Sequence, residues 1–217
     1  EGPGAEDLVP EAHVTVSMPR GGQAASVSAR LAHIPAREIA AQSPALTFLA
    51  PLDAPVSGMV RAELSEEDGV DSLSGKLEIG AGVLRAQVDP VPFNAARAYF
   101  SYDPERARLT FDDLRLSGPV VTFEGRGHAF VTGELAESRL PESLVAQLQG
   151  TRLTLDPEGV FETSAEFSDV AADVRITLDP FAVDVGQLTL VSTAGTAGAS
   201  ANDVAPPPTR LHASGYV

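Results

Sequence analysis

Four histidines, His13, His33, His128 and His212, are the natural candidates for metal ligation or general-base work, and their spacing serves neither. A metal needs ligands a few residues apart on a shared turn or face, and each histidine lacks a local partner at that spacing. Asp112-Asp113 offers the paired carboxylates that acid–base chemistry uses. Neighbours on a strand point to opposite faces, so these two act together only where a bulge turns them the same way. A bulge that gives both to water is expected. Glu66-Glu67-Asp68 lacks the alternating oxygen ligands of a calcium loop and reads as a solvated turn. Gly69 to Lys76 approaches a phosphate loop, but its glycines are one residue too far apart and Leu77 replaces the needed Ser or Thr. Gly80-Ala81-Gly82 opens like a dinucleotide fingerprint, yet Arg85 stands where the third glycine belongs, and no G-x-S-x-G occurs. No catalytic signature survives. The chain reads as non-enzymatic, with no cofactor and no metal.

Composition narrows the remaining classes. The 217 residues carry a net charge of −15, and Lys76 is the only lysine. Nucleic-acid binding needs a basic stripe to neutralise phosphates, and the arginines here are scattered singly. The same deficit argues against docking on anionic headgroups, so any lipid contact is expected through apolar surface. Cysteine is absent, which removes disulfides and thiolate chemistry. No apolar run is long enough to span a bilayer as a helix. The chain begins at Glu1 without a signal-peptide pattern and is expected to be a piece of a longer protein.

The elements that would position any site are strands. Val56, Gly58, Val60, Ala62 and Leu64 alternate with Ser57, Met59, Arg61 and Glu63. Leu73, Gly75, Leu77 and Ile79 alternate with Ser72, Ser74, Lys76 and Glu78. The same period recurs from Val121 to Val131 and from Asp173 to Asp179. Period two with one dry and one wet face is the signature of antiparallel strands. Gly58, Gly75, Gly125 and Gly127 fall on the dry face, leaving room for a ligand or for the sheet to bend. Leu109 to Leu116 aligns with Val183 to Leu190, and in both the alternation slips by one residue midway, which predicts a β-bulge in each.

Turns follow the same logic. Asp103-Pro104, Asp156-Pro157 and Asp179-Pro180 each end an alternating run, and Ser65 to Gly69 links the run ending at Leu64 to the one beginning at Ser72. Residues 1–34 read as an N-terminal hairpin, 35–50 as one or two short helices (Pro35 to Gln42 and Pro44 to Leu49), and 51–191 as the main antiparallel sheet. Residues 192–209, with Pro206-Pro207-Pro208, read as a mobile loop, and 210–217 as a last strand. The fold class is all-β, a single segment of a larger protein.

Several phrases resemble the AsmA-like proteins of Gram-negative bacteria, most closely their YhdP-like branch. They are Leu52-Asp53-Ala54-Pro55-Val56-Ser57-Gly58, Leu77 to Leu84, Pro92 to Tyr99, and Leu178-Asp179-Pro180-Phe181 with Val185-Gly186-Gln187-Leu188. The resemblance covers residues 34 to 190. It implies a long twisted sheet curved into a taco-like groove, located in the periplasm as part of an inner-membrane-anchored protein. It also implies that phospholipid acyl chains are the partner, shielded in transit between inner and outer membranes that the rest of the chain would reach.

About eleven alternating segments at about 4.8 Å each give an apolar ribbon on the order of 50 Å long. A helix-poor chain has little with which to cover it. Val60, Leu64, Leu77, Ile79, Phe100, Phe111, Leu116, Phe123, Val174 and Ile176 are the expected lining residues. The competing reading is a structural or adhesin-like β-sandwich whose apolar face is sealed and holds no ligand.

Overall fold

Where alternation runs unbroken, the chain forms strand. A computed structural model describes residues 9–18, 24–42, 49–65, 69–85, 90–133, 142–157, 163–178, 181–192 and 210–214. The elements are β1 (Glu11–Ser17), β2 (Ala24–Pro35), α1 (Ala36–Ala40), β3 (Leu52–Asp53), β4 (Pro55–Ser65), β5 (Gly69–Ile79), β6 (Gly82–Arg85) and β7 (Pro90–Phe93). They continue with β8 (Ala95–Asp103), β9 (Arg108–Ser117), β10 (Val121–Thr132), β11 (Ser143–Leu155), β12 (Ala165–Leu178), β13 (Phe181–Ser192) and β14 (Arg210–Ser214).

Eleven of these strands make one antiparallel sheet in the order β1-β2-β4-β5-β8-β9-β10-β11-β12-β13-β14. Each strand of this meander lies beside the next one laid down, and the sheet does not close: among the described residues β1 pairs only with β2 and β14 only with β13. The sheet therefore extends beyond the expected 51–191 at both ends. The N-terminal hairpin joins it through Val27 opposite Ala62, and the last strand joins it through Leu211 opposite Leu190.

A second correction concerns its middle. β3, β6 and β7 leave the main ladder and form a separate three-stranded sheet. They are excursions at one rim, where β2 hands over to β4 and β5 to β8. Backbone bonds tie that corner down: Ala36 N–H to Ala54 O at 2.9 Å, Gly80 N–H to Pro55 O at 2.9 Å, and Asn94 N–H to Ser117 O at 2.7 Å. Five buried apolar residues, Ala36, Ala40, Ala54, Val56 and Phe93, belong to it. Among the described residues α-helix is confined to the five residues of α1, shorter than the expected 35–42; it starts after Pro35, which still has extended geometry (φ −55°, ψ 130°). Most of the second expected helix (44–48 of Pro44 to Leu49), the 66–68 turn, Asp179-Pro180 and 193–209 lie outside the described residues.

Bulges keep the apolar residues in phase. On β9, Phe100 pairs with Phe111 and Tyr99 with Asp113, leaving Asp112 supernumerary. On β13, Val174 pairs with Val185 and Asp173 with Gln187, leaving Gly186 extra. These are the two positions where the repeat slips. A further bulge sets Ala32-His33 opposite Ser57, between the Leu31–Gly58 and Ile34–Val56 pairs. There His33 takes φ 53° and its N–H donates to Ser57 Oγ at 2.9 Å. Bulges bend a strand and increase its twist, so their recurrence curves the sheet.

Candidate functional site

Because residues opposite each other in a ladder share a face, the register defines each side of the sheet. One row crosses all eleven strands as Val14, Ala29, Val60, Gly75, Phe100, Phe111, Gly127, Leu148, Ala172, Leu188 and Ala213. A second runs Val56, Ile79, Ala96, Leu116, Phe123, Leu153 and Phe167. All ten expected lining residues fall on this one face. Leu64 lies between Ala25 and Val70, Leu77 between Gly58 and Ala98, Val174 between Ala146 and Val185, and Ile176 between Leu144 and Val183. Among the residues paired in the ladder, the face carries no Asp, Glu, Lys, Arg or His. Tyr102 and Ser192 are its polar side chains.

The packing of this face is sheet against itself. One cluster gathers Ala129, Ala146 and Val174, with Leu109, Phe111, Leu144, Leu148, Ala172 and Ile176 around them. Another gathers Phe167, Val170 and Leu190 with Phe123, Leu153, Leu155, Ala165 and Leu188. Every member lies on the same face of the same sheet, and among the described residues neither cluster includes one from an opposing layer. No large side chain among the described residues is wholly buried. Of the ten expected lining residues, Val174 is buried and the other nine are half-buried. Exposure is greatest toward the ends, at Val14 (61%), Val16 (55%) and Val183 (46%).

Of the glycines expected to leave room for a ligand or to let the sheet bend, Gly75 and Gly125 have their open side already filled. A Cβ on Gly75 would stand 2.8 Å from Phe100 Cζ, and one on Gly125 would stand 2.6 Å from Phe123 Cζ. Aromatic rings already occupy that space.

The opposite face holds the charge. Asp113 accepts from Arg97 on one oxygen (Nη2 2.7 Å, Nε 3.1 Å) and from Arg115 Nε on the other at 3.1 Å. Burial acts to raise the Asp113 pKa, and the hydrogen bonds from Arg115 and then Arg97 outweigh it, leaving the carboxyl below the usual aspartate value. Arg97 and Lys76 both lie over the Tyr99 ring, 5.5 and 5.6 Å from its centroid. Lys76 also bonds to Glu78 at 2.7 Å. Sequence reading missed this network because Arg97 and Asp113 meet only across β8 and β9; the Asp113–Arg115 spacing of two was its one local signal.

The chemical candidates also fall on this polar side or outside the site. The β9 bulge turns Asp112 and Asp113 the same way, between Phe111 and Leu114 on the apolar side. Asp112 is exposed and borders a depression of about 260 Å³ with Arg126 and His128, while Asp113 is committed to its arginines. His128 is half-buried rather than fully solvated, its ring edge-on to Phe130 at 5.4 Å. His13 is exposed on β1, His33 sits in the β2 bulge, and His212 is on β14. Among the described residues no three His, Asp or Glu side chains gather where a metal could be held. No helix among them is long and apolar enough to cross a membrane. Comparison with protein-family models, with curated proteins and with solved structures finds no match to this chain.

Proposed function

We propose that the uncharged face of the main sheet is a groove for the acyl chains of phospholipids, which it shields while they move between the inner and outer membranes of a Gram-negative cell. The observation that carries this reading is the uninterrupted apolar row from Val14 to Ala213, with no opposing layer among the described residues of either hydrophobic cluster. A closed sandwich needs a second apolar layer facing those clusters, and this favours the groove over the sandwich.

The physics suits a carrier. Each methylene withdrawn from water gains about 0.8 kcal/mol, so a diacyl lipid is held firmly by area alone. That attraction has no direction, so a chain can slide along the strands without breaking a specific bond. Charges on the sheet stay on the far side, where Asp113 and its arginines face water. No covalent step is involved.

The test is to purify the chain and extract it with organic solvent, reading the extract by mass spectrometry. Phospholipid recovered in near-stoichiometric amount, and uptake of a fluorescent phospholipid from vesicles after delipidation, are the expected results. A folded chain that is lipid-free and takes up none overturns the proposal.

A further inference from the structure

Lys76, Arg85, Arg97, Arg106, Arg115 and Arg152 each hold a carboxylate, as expected in a chain with 30 acidic and 15 basic residues. Arg108 and Arg126 do not. Neither forms an ion pair among the described residues, yet both line the depression of about 260 Å³ on the polar face. The ladder brings them there from the middle of the sheet. Thr110, His128 and Gln147 stand opposite one another across β9, β10 and β11, and Arg126 stands opposite Gln149. Arg108 is opposite Phe130, which makes it a diagonal neighbour of His128, and Arg126 flanks His128 on the other side. Two arginines thus bracket one row of donors. The Arg108 Nε is buried without a hydrogen-bond partner among the described residues. A guanidinium withdrawn from water with no acceptor is a cost the free protein leaves uncompensated.

We propose that this depression binds a phosphate-bearing anion, on the side of the sheet opposite the apolar face. Guanidinium forks match phosphate oxygens, and two of them balance a dianion. A carboxylate has two oxygens, which one fork satisfies, whereas a phosphate has oxygens enough for both arginines and the donors between them. Those donors are the Thr110 hydroxyl, a ring N–H of His128 and the amides of Gln147 and Gln149. The His128 ring is steadied edge-on against Phe130 at 5.4 Å. The net charge of −15 repels an anion at a distance, but within about 8 Å, the Debye length at physiological salt, the lining decides. One carboxylate lies in that lining: Asp112, turned to this side by the β9 bulge and ion-paired with neither arginine. Asp173, opposite Gln147 on β12, lies outside it. Asp112 therefore works against the anion while the arginines hold it. This site is independent of the groove, because acyl chains would run on the other side of the sheet.

Equilibrium dialysis of the whole chain against radiolabelled inorganic phosphate at low ionic strength tests the site. A Kd of about 1 mM or tighter is expected. Arg108→Gln and Arg126→Gln should each weaken binding at least about tenfold, and Asp112→Asn should strengthen it about threefold, with circular dichroism unchanged in all three. Flotation with vesicles then identifies the source of the phosphate. Capture by phosphatidic acid vesicles above that by phosphatidylcholine vesicles, lost in Arg126→Gln, assigns it to a lipid headgroup. Equal capture by the two, beside bound inorganic phosphate, assigns it to a soluble phosphomonoester. Failure to bind inorganic phosphate, or binding that both arginine variants retain in full, overturns the proposal. Uptake of fluorescent phospholipid should be the same in Arg126→Gln as in the parent, so the two sites fail or stand separately.

Discussion

The Phe123 ring fills part of the space that a side chain on Gly125 would need, its Cζ 2.6 Å from where a Cβ there would stand, with Gln149 O at 2.5 Å closing the other part. Gly150, opposite Gly125 on β11, meets the same ring: its Cβ position is 2.6 Å from Phe123 Cε2 and 3.0 Å from Val170 Cβ. One aromatic side chain thus covers two bare stretches of backbone. Gly125→Ala and Gly150→Ala are each expected to lower stability by about 1–3 kcal/mol, the cost of overpacking. Adding Phe123→Leu to Gly125→Ala should recover part of the loss, and a double-mutant cycle in urea reads the coupling. Strictly additive losses would show that the ring and the glycine do not act as a unit.

The same packing separates residues that hold the fold from residues that can report on lipid. Phe123 belongs to a hydrophobic cluster, whereas Val60 and Leu64 lie on the same face outside both clusters. Phe123→Asp is expected to destabilise by several kcal/mol, because it removes the ring and brings a charge against apolar neighbours. Val60→Asp and Leu64→Asp should keep the circular dichroism spectrum and reduce uptake of fluorescent phospholipid at least about tenfold, since a hydrocarbon chain would then lie on a charge. Uptake that persists in both variants would remove these residues from the lining.

Acid should weaken the polar face. Unfolded, Asp113 titrates near 3.8; folded, its carboxyl is held lower, as burial is outweighed by the bonds from Arg115 and Arg97. As pH falls past the unfolded value the unfolded chain takes up the proton first, so the contribution of this carboxylate is complete above about pH 5 and is lost as pH drops through the folded pKa. Asp53 and Asp103 are lowered in the same direction, chiefly by hydrogen bonds from Arg85 and Arg106. Asp113→Asn is expected to cost up to about 1 kcal/mol at neutral pH and to flatten the fall in urea midpoint between pH 5 and pH 3. An unchanged slope in the variant would mean that its arginines do not govern the titration.

The strands of the main sheet were readable because alternation is a direct image of a half-buried face, and the two bulges at Asp112 and Gly186 because apolar residues shift phase there. The bulge at Ala32-His33 leaves the same trace, since Leu31 and Ile34 are three apart like Phe111 and Leu114, but Ala32 beside Leu31 blurs the phase and no repeat draws attention to it. The separate small sheet was illegible for a related reason: β3 has two residues and β6 and β7 four each, and Pro90 and Pro92 interrupt β7, so no period can be established. The expected lining residues share one face because each was chosen by phase within its own strand, and bulges preserve phase across strands. What phase cannot supply is the partner across the ladder, so the Phe123–Gly125–Gly150 contact and the Asp113 network had to come from the fold.

The hairpin between β8 and β9 stores a correctable strain. Asp103 opens the turn by accepting the Arg106 N–H at 3.2 Å, Pro104 O accepts the Ala107 N–H at 3.1 Å, and Ala107 then adopts φ 46°. The carbonyl of Ala107 is fixed in that pose by Val131 N–H at 2.9 Å, so the residue cannot relax without losing a bond to β10. An L-residue in the left-handed region costs about 1–2 kcal/mol relative to glycine. Ala107→Gly removes that cost and gives back about 0.5–1 kcal/mol through the freer unfolded chain, leaving a net gain of about 0.5–1 kcal/mol. Ala107→Val should move the other way, because a β-branched side chain tolerates positive φ least. Urea unfolding reads both: the midpoint should rise for glycine and fall for valine at constant m. A glycine variant less stable than the parent would show that the left-handed turn is not strained.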